Sequence, residues 1–188
     1  DLRLQGQSPY SASIFGAEKM TEAFLLSFGV AVVTVRPLYT FGPRQSGRAV
    51  IPAIILQCLK GRKMIRLGNL EPSRDLNYVS NTVDGFLAAA VASGVEGRTI
   101  NLGSGREIRI GELARLVMKM TGCDAEIRTE GARVRPHGSE VERLVADNSL
   151  ARRVLKWAPK ITLERGLEIT IEWIRSHLGR YRPDAYQV

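Results

Sequence analysis

Tyr10 is the side chain of this sequence best placed for proton chemistry. It opens the run Pro9-Tyr10-Ser11-Ala12-Ser13-Ile14, which continues with helical spacing. Residues i and i+4 share one helix face. An ammonium at that spacing would sit beside the phenol and help it ionise for proton exchange with a hydroxyl. Position 14, however, is Ile. Lys19 is no substitute, because at ~100° and ~1.5 Å per residue it falls about half a turn round and roughly 13 Å along. Tyr10 and Ile14 therefore read as packing residues. The second chemistry in the sequence is anion binding. Arg44 lies in the loop Leu38–Ser46 and offers a planar fork of donors suited to phosphate. Arg74 precedes Asp75, a pairing with bidentate geometry in which the carboxylate orients the arginine or the local turn. Gly103-x-Gly105 invites a dinucleotide-fingerprint reading, but position 108 is Ile and the next helix is delayed past Ile110-Gly111-Glu112. A true fingerprint opens its helix on the glycines, so that reading is rejected.

These residues need elements to hold them. Ser8 caps a helix from Pro9 to Phe28 that stops at Gly29, with Ile14, Ala17, Thr21, Phe24 and Phe28 as one face. Phe15, Leu25 and Leu26 add apolar surface off that face. The β-branched run Val30–Val35 reads as a parallel strand buried on both faces and paired on both edges, ended by Arg36-Pro37. Parallel strands need crossover helices, so the class is α/β. The loop after such a strand, carrying Arg44, is where ligands bind in open α/β sheets. An apolar helix follows over Val50–Leu59, then a short strand at Met64–Leu67 and a helix over Asn81–Ala92. A strand and tight turn span Gly97–Gly105. Next come an amphipathic helix over Ile110–Met120, a strand at 125–128, a short helix opened by Asp147-Asn148-Ser149, and a last helix from Thr162 to about Leu178. Tyr181 onward reads as a tail.

The chain has 188 residues, 44% hydrophobic and 24% charged, ordinary for a globular protein with one core. Its net charge of +8 is spread among acids such as Glu112, Glu140, Glu164 and Glu168, with no basic run interleaved with aromatics. That argues against nucleic acid as a partner. Cys58 and Cys123 are distant in sequence with no ligand-spaced Cys or His nearby, which argues against a disulfide scaffold or a zinc site. There is no signal-like segment and no apolar run long enough for a membrane span, so the cytoplasm is the default compartment.

Several stretches resemble one family, the extended short-chain dehydrogenases/reductases, specifically the NAD-dependent nucleotide-sugar 4,6-dehydratases and epimerases. Pro9-Tyr10-Ser11-Ala12-Ser13 resembles its active-site helix, with Ile14 at the lysine position. Thr40-Phe41-Gly42-Pro43-Arg44-Gln45 resembles its sugar-contacting loop, with Tyr39 where Asn is usual. Arg74-Asp75-x-x-Tyr78-Val79 resembles its pyrophosphate motif. Arg133–Asp147 is similar to a stretch of the legionaminic-acid-type dehydratases, and the ending Leu155-Lys156-Trp157-x-Pro159 to Gly166-Leu167 is typical, with Lys156 where Gly is common. The resemblance implies substrate-binding roles for Arg44, Arg74, Asn101, Arg135 and Arg143, and a catalytic and cofactor-facing role for Tyr10. It also implies a contact between the first turn of the Val50 helix and a nucleotide base. It covers the C-terminal half of a family member, without the Gly-rich NAD half. The expected fold is a Rossmann-like remnant (8–36 and 80–103) with a small substrate subdomain (37–79 and 104–180) and a tail over 181–188. The expected function is that of a truncated, inactive relative that keeps part of a UDP- or dTDP-sugar pocket, binds no NAD alone and forms a homodimer. The alternatives are a non-catalytic assembly module, or a half-enzyme completed by a separate NAD-binding chain.

Overall fold

The computed structural model describes residues 8–131 and 141–181. Helix α1, Pro9–Phe28, begins where Ser8 accepts from the Ser11 amide and Ser11 reciprocates, with Pro9 in the first turn. It ends at Gly29, whose φ of +65° makes the left-handed cap. Strand β1, Thr34–Pro37, follows, and then β2, Thr40–Phe41; α2, Val50–Leu59; β3, Met64–Leu67; and β4, Ser73–Asp75. Strand β5, Asn77–Tyr78, runs into α3, Val79–Val91. Strands β6, Thr99–Leu102, and β7, Glu107–Arg109, precede α4, Ile110–Thr121, and β8, Glu126–Thr129. Strand β9, Arg143–Leu144, and helices α5, Ser149–Val154, and α6, Leu163–Ser176, complete the order, followed by a 3-10 turn at Leu178–Arg180.

The strands pair in small, mostly parallel sheets, the α/β class expected. Strand β1 lies beside β6 with Thr34 opposite Thr99, β2 beside β5, and β3 beside β8, all parallel. Strand β4 is central, antiparallel to β7 and parallel to β9. Two hydrophobic cores result. The larger packs α2, α4 and α6 over β3 and around Phe41 and Tyr78, with Ile54, Ile55, Ile65, Leu113, Leu167 and Ile174 sealed from solvent. The smaller holds Ile100 and Leu102 of β6 with Ala89, Ala151, Leu155 and Trp157, flanked by Val33 and Val35.

Three expectations are corrected. The Val30–Val35 strand starts instead at Thr34, pairs among the described residues only with β6, and is half-buried; Val30 stands 44% exposed. The inward face of α1 is Ser11, Phe15, Glu18, Thr21 and Leu25, while Ile14, Phe24 and Phe28 are exposed. The reason is that the contact with β1 is largely polar: Arg36 pairs bidentately with Glu18, and the Thr21 and Thr34 hydroxyls lie 3.5 Å apart. Apolar periodicity therefore pointed to the wrong side. Tyr181 is docked rather than trailing, its hydroxyl donating to the Gln45 carbonyl (3.1 Å) and its ring edge-on to Trp173. No helix among the described residues is long and apolar enough to cross a membrane.

Candidate functional site

A cleft of about 340 Å³ opens where the carboxyl end of β1 feeds the loop to α2, the position favoured for ligands in open α/β sheets. Its floor and walls are apolar: Phe41, Val50, Ile51, Ala53, Leu67, Leu76 and Ile110. Its polar groups are Tyr39, Thr40, Gln45, Arg48, Asn69 and Arg74. Among the described residues that line it there are two arginines and no carboxylate, so their local field favours an anion.

Arg74 is only 6% exposed. Its Nη1 donates to the Ser73 carbonyl (2.8 Å) and to that of Glu142 (3.5 Å), and its guanidinium carbon lies 5.5 Å from the centre of the Tyr39 ring. Asp75 does not grip Arg74; it holds the following turn. The Ser104 amide and hydroxyl (2.8 and 2.5 Å), the Gly105 amide (2.9 Å) and the Ala146 amide (3.2 Å) all donate to its fully buried carboxylate. Gly103 must be glycine for this approach, since a Cβ there would stand 2.6 Å from Asp75 Oδ2. Behind the cleft Asn81, 2% exposed, donates to Asn77 and to the Ile161 carbonyl and accepts from the Lys160 and Ile161 amides. Its own carbonyl accepts from Trp157 Nε1. Every polar atom of that side chain is thus matched.

Of the residues singled out by sequence, Arg74 lines the cleft. Arg44 does not; it sits at φ +68° on the exposed side of the Gly42–Pro43 turn. Asn101 lies in β6 opposite Arg36, away from the cleft. Arg143 is outside it and forks onto Glu107 (2.9 and 3.2 Å), holding that carboxyl below the usual carboxylate range. Arg135 lies outside the described residues. Tyr10 is 75% exposed in the first turn of α1 and Ile14 is 54% exposed, so neither packs as expected. Sequence reading passed over Arg48, Gln45 and Asn69. Asn69 follows the carboxyl end of β3 and accepts from the Glu71 amide in an Asx turn; a Gly-Asn pair after a strand was the available signal.

The model of the family described as GDP-mannose 4,6 dehydratase matches residues 1–170. The chain belongs to that family. Its relatives are NAD-dependent nucleotide-sugar dehydratases and epimerases of the extended short-chain dehydrogenase/reductase class. UDP-glucuronic acid decarboxylase 1 of Xenopus tropicalis is 34% identical over 173 residues, 90% of this chain and 39% of the relative. UDP-glucose 4-epimerase of Mycolicibacterium smegmatis is 28% identical over 94% of this chain and 56% of its own length. Among solved structures, the Thermotoga maritima UDP-glucose 4-epimerase with UDP-glucose superposes with a TM-score of 0.83 at 28% identity, covering 91% of this chain and 54% of that one. An epimerase of Methanothermobacter thermautotrophicus gives 0.85 at 26%, covering 96% and 53%. The chain therefore spans about half, or less, of the length of these dehydratase and epimerase relatives.

NAD is the cofactor this family implies, and the described residues do not fit it. The glycine turn 103–105 leads into strand β7, not into a helix, and its Ser104 and Gly105 amides are taken by Asp75. A dinucleotide phosphate would need such amides for itself. Around Tyr10, Ile14 supplies no cation.

Proposed function

We propose that these residues form the nucleotide-sugar-holding part of a dehydratase- or epimerase-type protein, with Arg74 gripping the diphosphate of a UDP- or dTDP-sugar. The observation that carries the reading is a cation almost wholly buried yet lining the cleft beside Arg48. Arg48 at the rim adds a second positive charge, and Val50, Ile51 and Ala53 at the start of α2 offer an apolar wall for a base. The nucleotide sugars named for the relatives support the same class of ligand. By itself the chain does no hydride transfer, because Tyr10 has no cation beside it and the glycine turn is already occupied.

Calorimetry with UDP tests the pocket. Binding is expected in the millimolar to high-micromolar range, since a partial site loses pre-organisation, and Arg74→Ala abolishes it. Equal binding by parent and variant, or none by the parent, sinks the reading. Mixing the chain with NAD and UDP-sugars gives no epimerised or 4-keto sugar product; product above background would refute inactivity.

The outward face of α1 favours a second element of the proposal, that the chain associates with a second copy of itself. Ile14, Met20, Phe24 and Phe28 are all exposed there, a patch of the kind monomers seldom leave to water, and two-fold pairing is the commonest way to cover such a surface. Sedimentation at micromolar concentration is expected to give a dimer. Phe24→Asp dissociates it and Arg74→Ala leaves it intact, whereas a folded parent monomer removes the idea.

A further inference from the structure

We infer that Tyr39 is the positioning residue for Arg74, its ring lying over the guanidinium and steadying it at the cleft wall for an anion; this rests on the diphosphate reading above. Tyr39 does not reach the site by chance of rotamer alone. The backbone around it is pinned on both sides: the Leu38 amide donates to the Leu102 carbonyl (2.8 Å), and the Asn77 amide donates to the Tyr39 carbonyl (3.0 Å). The next residue, Thr40, is tied to Thr82 through their hydroxyls (3.0 Å). The side chain is therefore projected over the cleft from a fixed point between β1 and β2. Its ring centre lies 5.5 Å from Cζ of Arg74, within the range where the negative face of an aromatic attracts a cation.

The consequences for the guanidinium are specific. Nη1 is steered by the Ser73 and Glu142 carbonyls, and the aromatic ring covers the cation. Together they fix the plane of the fork. Arginine binds phosphate best when that plane is set in advance, because the two N–H donors must align with two oxygens at once. The ring also excludes water beside the charge, and charge-assisted hydrogen bonds strengthen as the local dielectric falls. Tyr39 is still 42% exposed, so it covers the cation without closing the cleft. Among the described residues the Tyr39 hydroxyl has no hydrogen-bond partner; what matters is the ring.

The test compares the parent with Tyr39→Phe and Tyr39→Leu, using calorimetry with UDP and, separately, inorganic pyrophosphate. Tyr39→Phe is expected to bind both ligands within twofold of the parent. Tyr39→Leu keeps an apolar cover but loses the π face, and is expected to weaken both by about five- to tenfold, the range for a partly desolvated cation–π contact. Thermal unfolding of all three proteins should agree, which a purely structural role would not predict alongside the affinity loss. Loss for UDP with pyrophosphate unaffected would mean the ring acts on the base, and would overturn the inference. So would a Tyr39→Phe variant as weak as Tyr39→Leu, or a Tyr39→Leu variant as tight as the parent. Failure of the parent to bind either ligand would sink the pocket itself, and this inference with it.

Discussion

Helices α1 and α2 are both rich in apolar side chains, yet α2 buries six of its ten residues and α1 buries none of its twenty. The difference is what stands opposite. Helix α2 is packed against β3, α4 and α6, so most of its surface meets protein and the rest lines the cleft. Helix α1 rests on β1 through an ion pair and two threonines, and touches the 94–97 turn only where Leu25 crowds Gly97. Its other side is open. Apolar content thus records that a surface will be covered, and says nothing of whether the cover lies in the same set of residues. The molecule has a closed side that carries the cleft and an open side that carries the edge of β1 left unpaired among the described residues, the outer face of α1, and Phe86, Leu87 and Val91 of α3.

The largest expected effect separates these sides at Asp75. Its carboxylate serves three backbone amides and one hydroxyl, bridging β4, the 103–105 turn and the segment before α5. Asp75→Ala leaves three amide donors without their acceptor, that of Ala146 in a buried position and those of Ser104 and Gly105 within reach of water. An orphaned buried donor costs roughly 1–3 kcal/mol and the two wetter ones less, so a loss of about 2–4 kcal/mol is expected in urea unfolding. Phe28→Ala on the open side should fall within about 0.5 kcal/mol when measured at a concentration low enough to keep the chain monomeric, as exposed substitutions do. If Phe28→Ala instead costs as much as a core phenylalanine, about 3–5 kcal/mol, the open side is covered in solution and the contrast dissolves.

The closed side was also the more legible in the sequence. The bounds of α2, α4 and α6 follow closely from apolar spacing and, for α6, from Thr162 at its start, because their packing partners impose the helical period. Arg74 was legible from its motif, and its burial is the physical counterpart. Arg44 belonged to an equally recognisable loop, but its positive φ places it on the outer side of the turn, a conformation no spacing rule reveals. The contact of α1 with β1 is made by Thr21, which the sequence reading did place on its face, and by Glu18, which a hydrophobic-pattern search ignores. Lys156, where glycine is common in relatives, has φ +53°; the backbone demand that favours glycine there is present although the residue is not.

Two glycines bring the comparison down to a single methyl group. Gly166 lies in α6 on the closed side, where an added Cβ would stand 2.8 Å from both the Phe41 and the Tyr78 ring. Those rings pack edge-on at 5.7 Å between centres inside the larger core, so they have little freedom to give way. Gly166→Ala is expected to cost about 1–3 kcal/mol through overpacking. Gly16 sits mid-way along α1 with nothing within 4 Å of its added Cβ. There the methyl meets no neighbour, and the gain in helix propensity over glycine, about 0.5–1 kcal/mol, is left alone to act. The same substitution should therefore lower the unfolding midpoint on one side and raise it on the other. Chemical unfolding of the two variants at matched concentration reads the sign directly. A destabilising Gly16→Ala would place another backbone close against α1 at that turn. In that case the open side would be a packed interface rather than a face covered only at Ile14, Phe24 and Phe28, and repeating the pair at tenfold lower protein concentration would show whether that interface is between copies of the chain, since only then does the penalty fade as the partner dissociates.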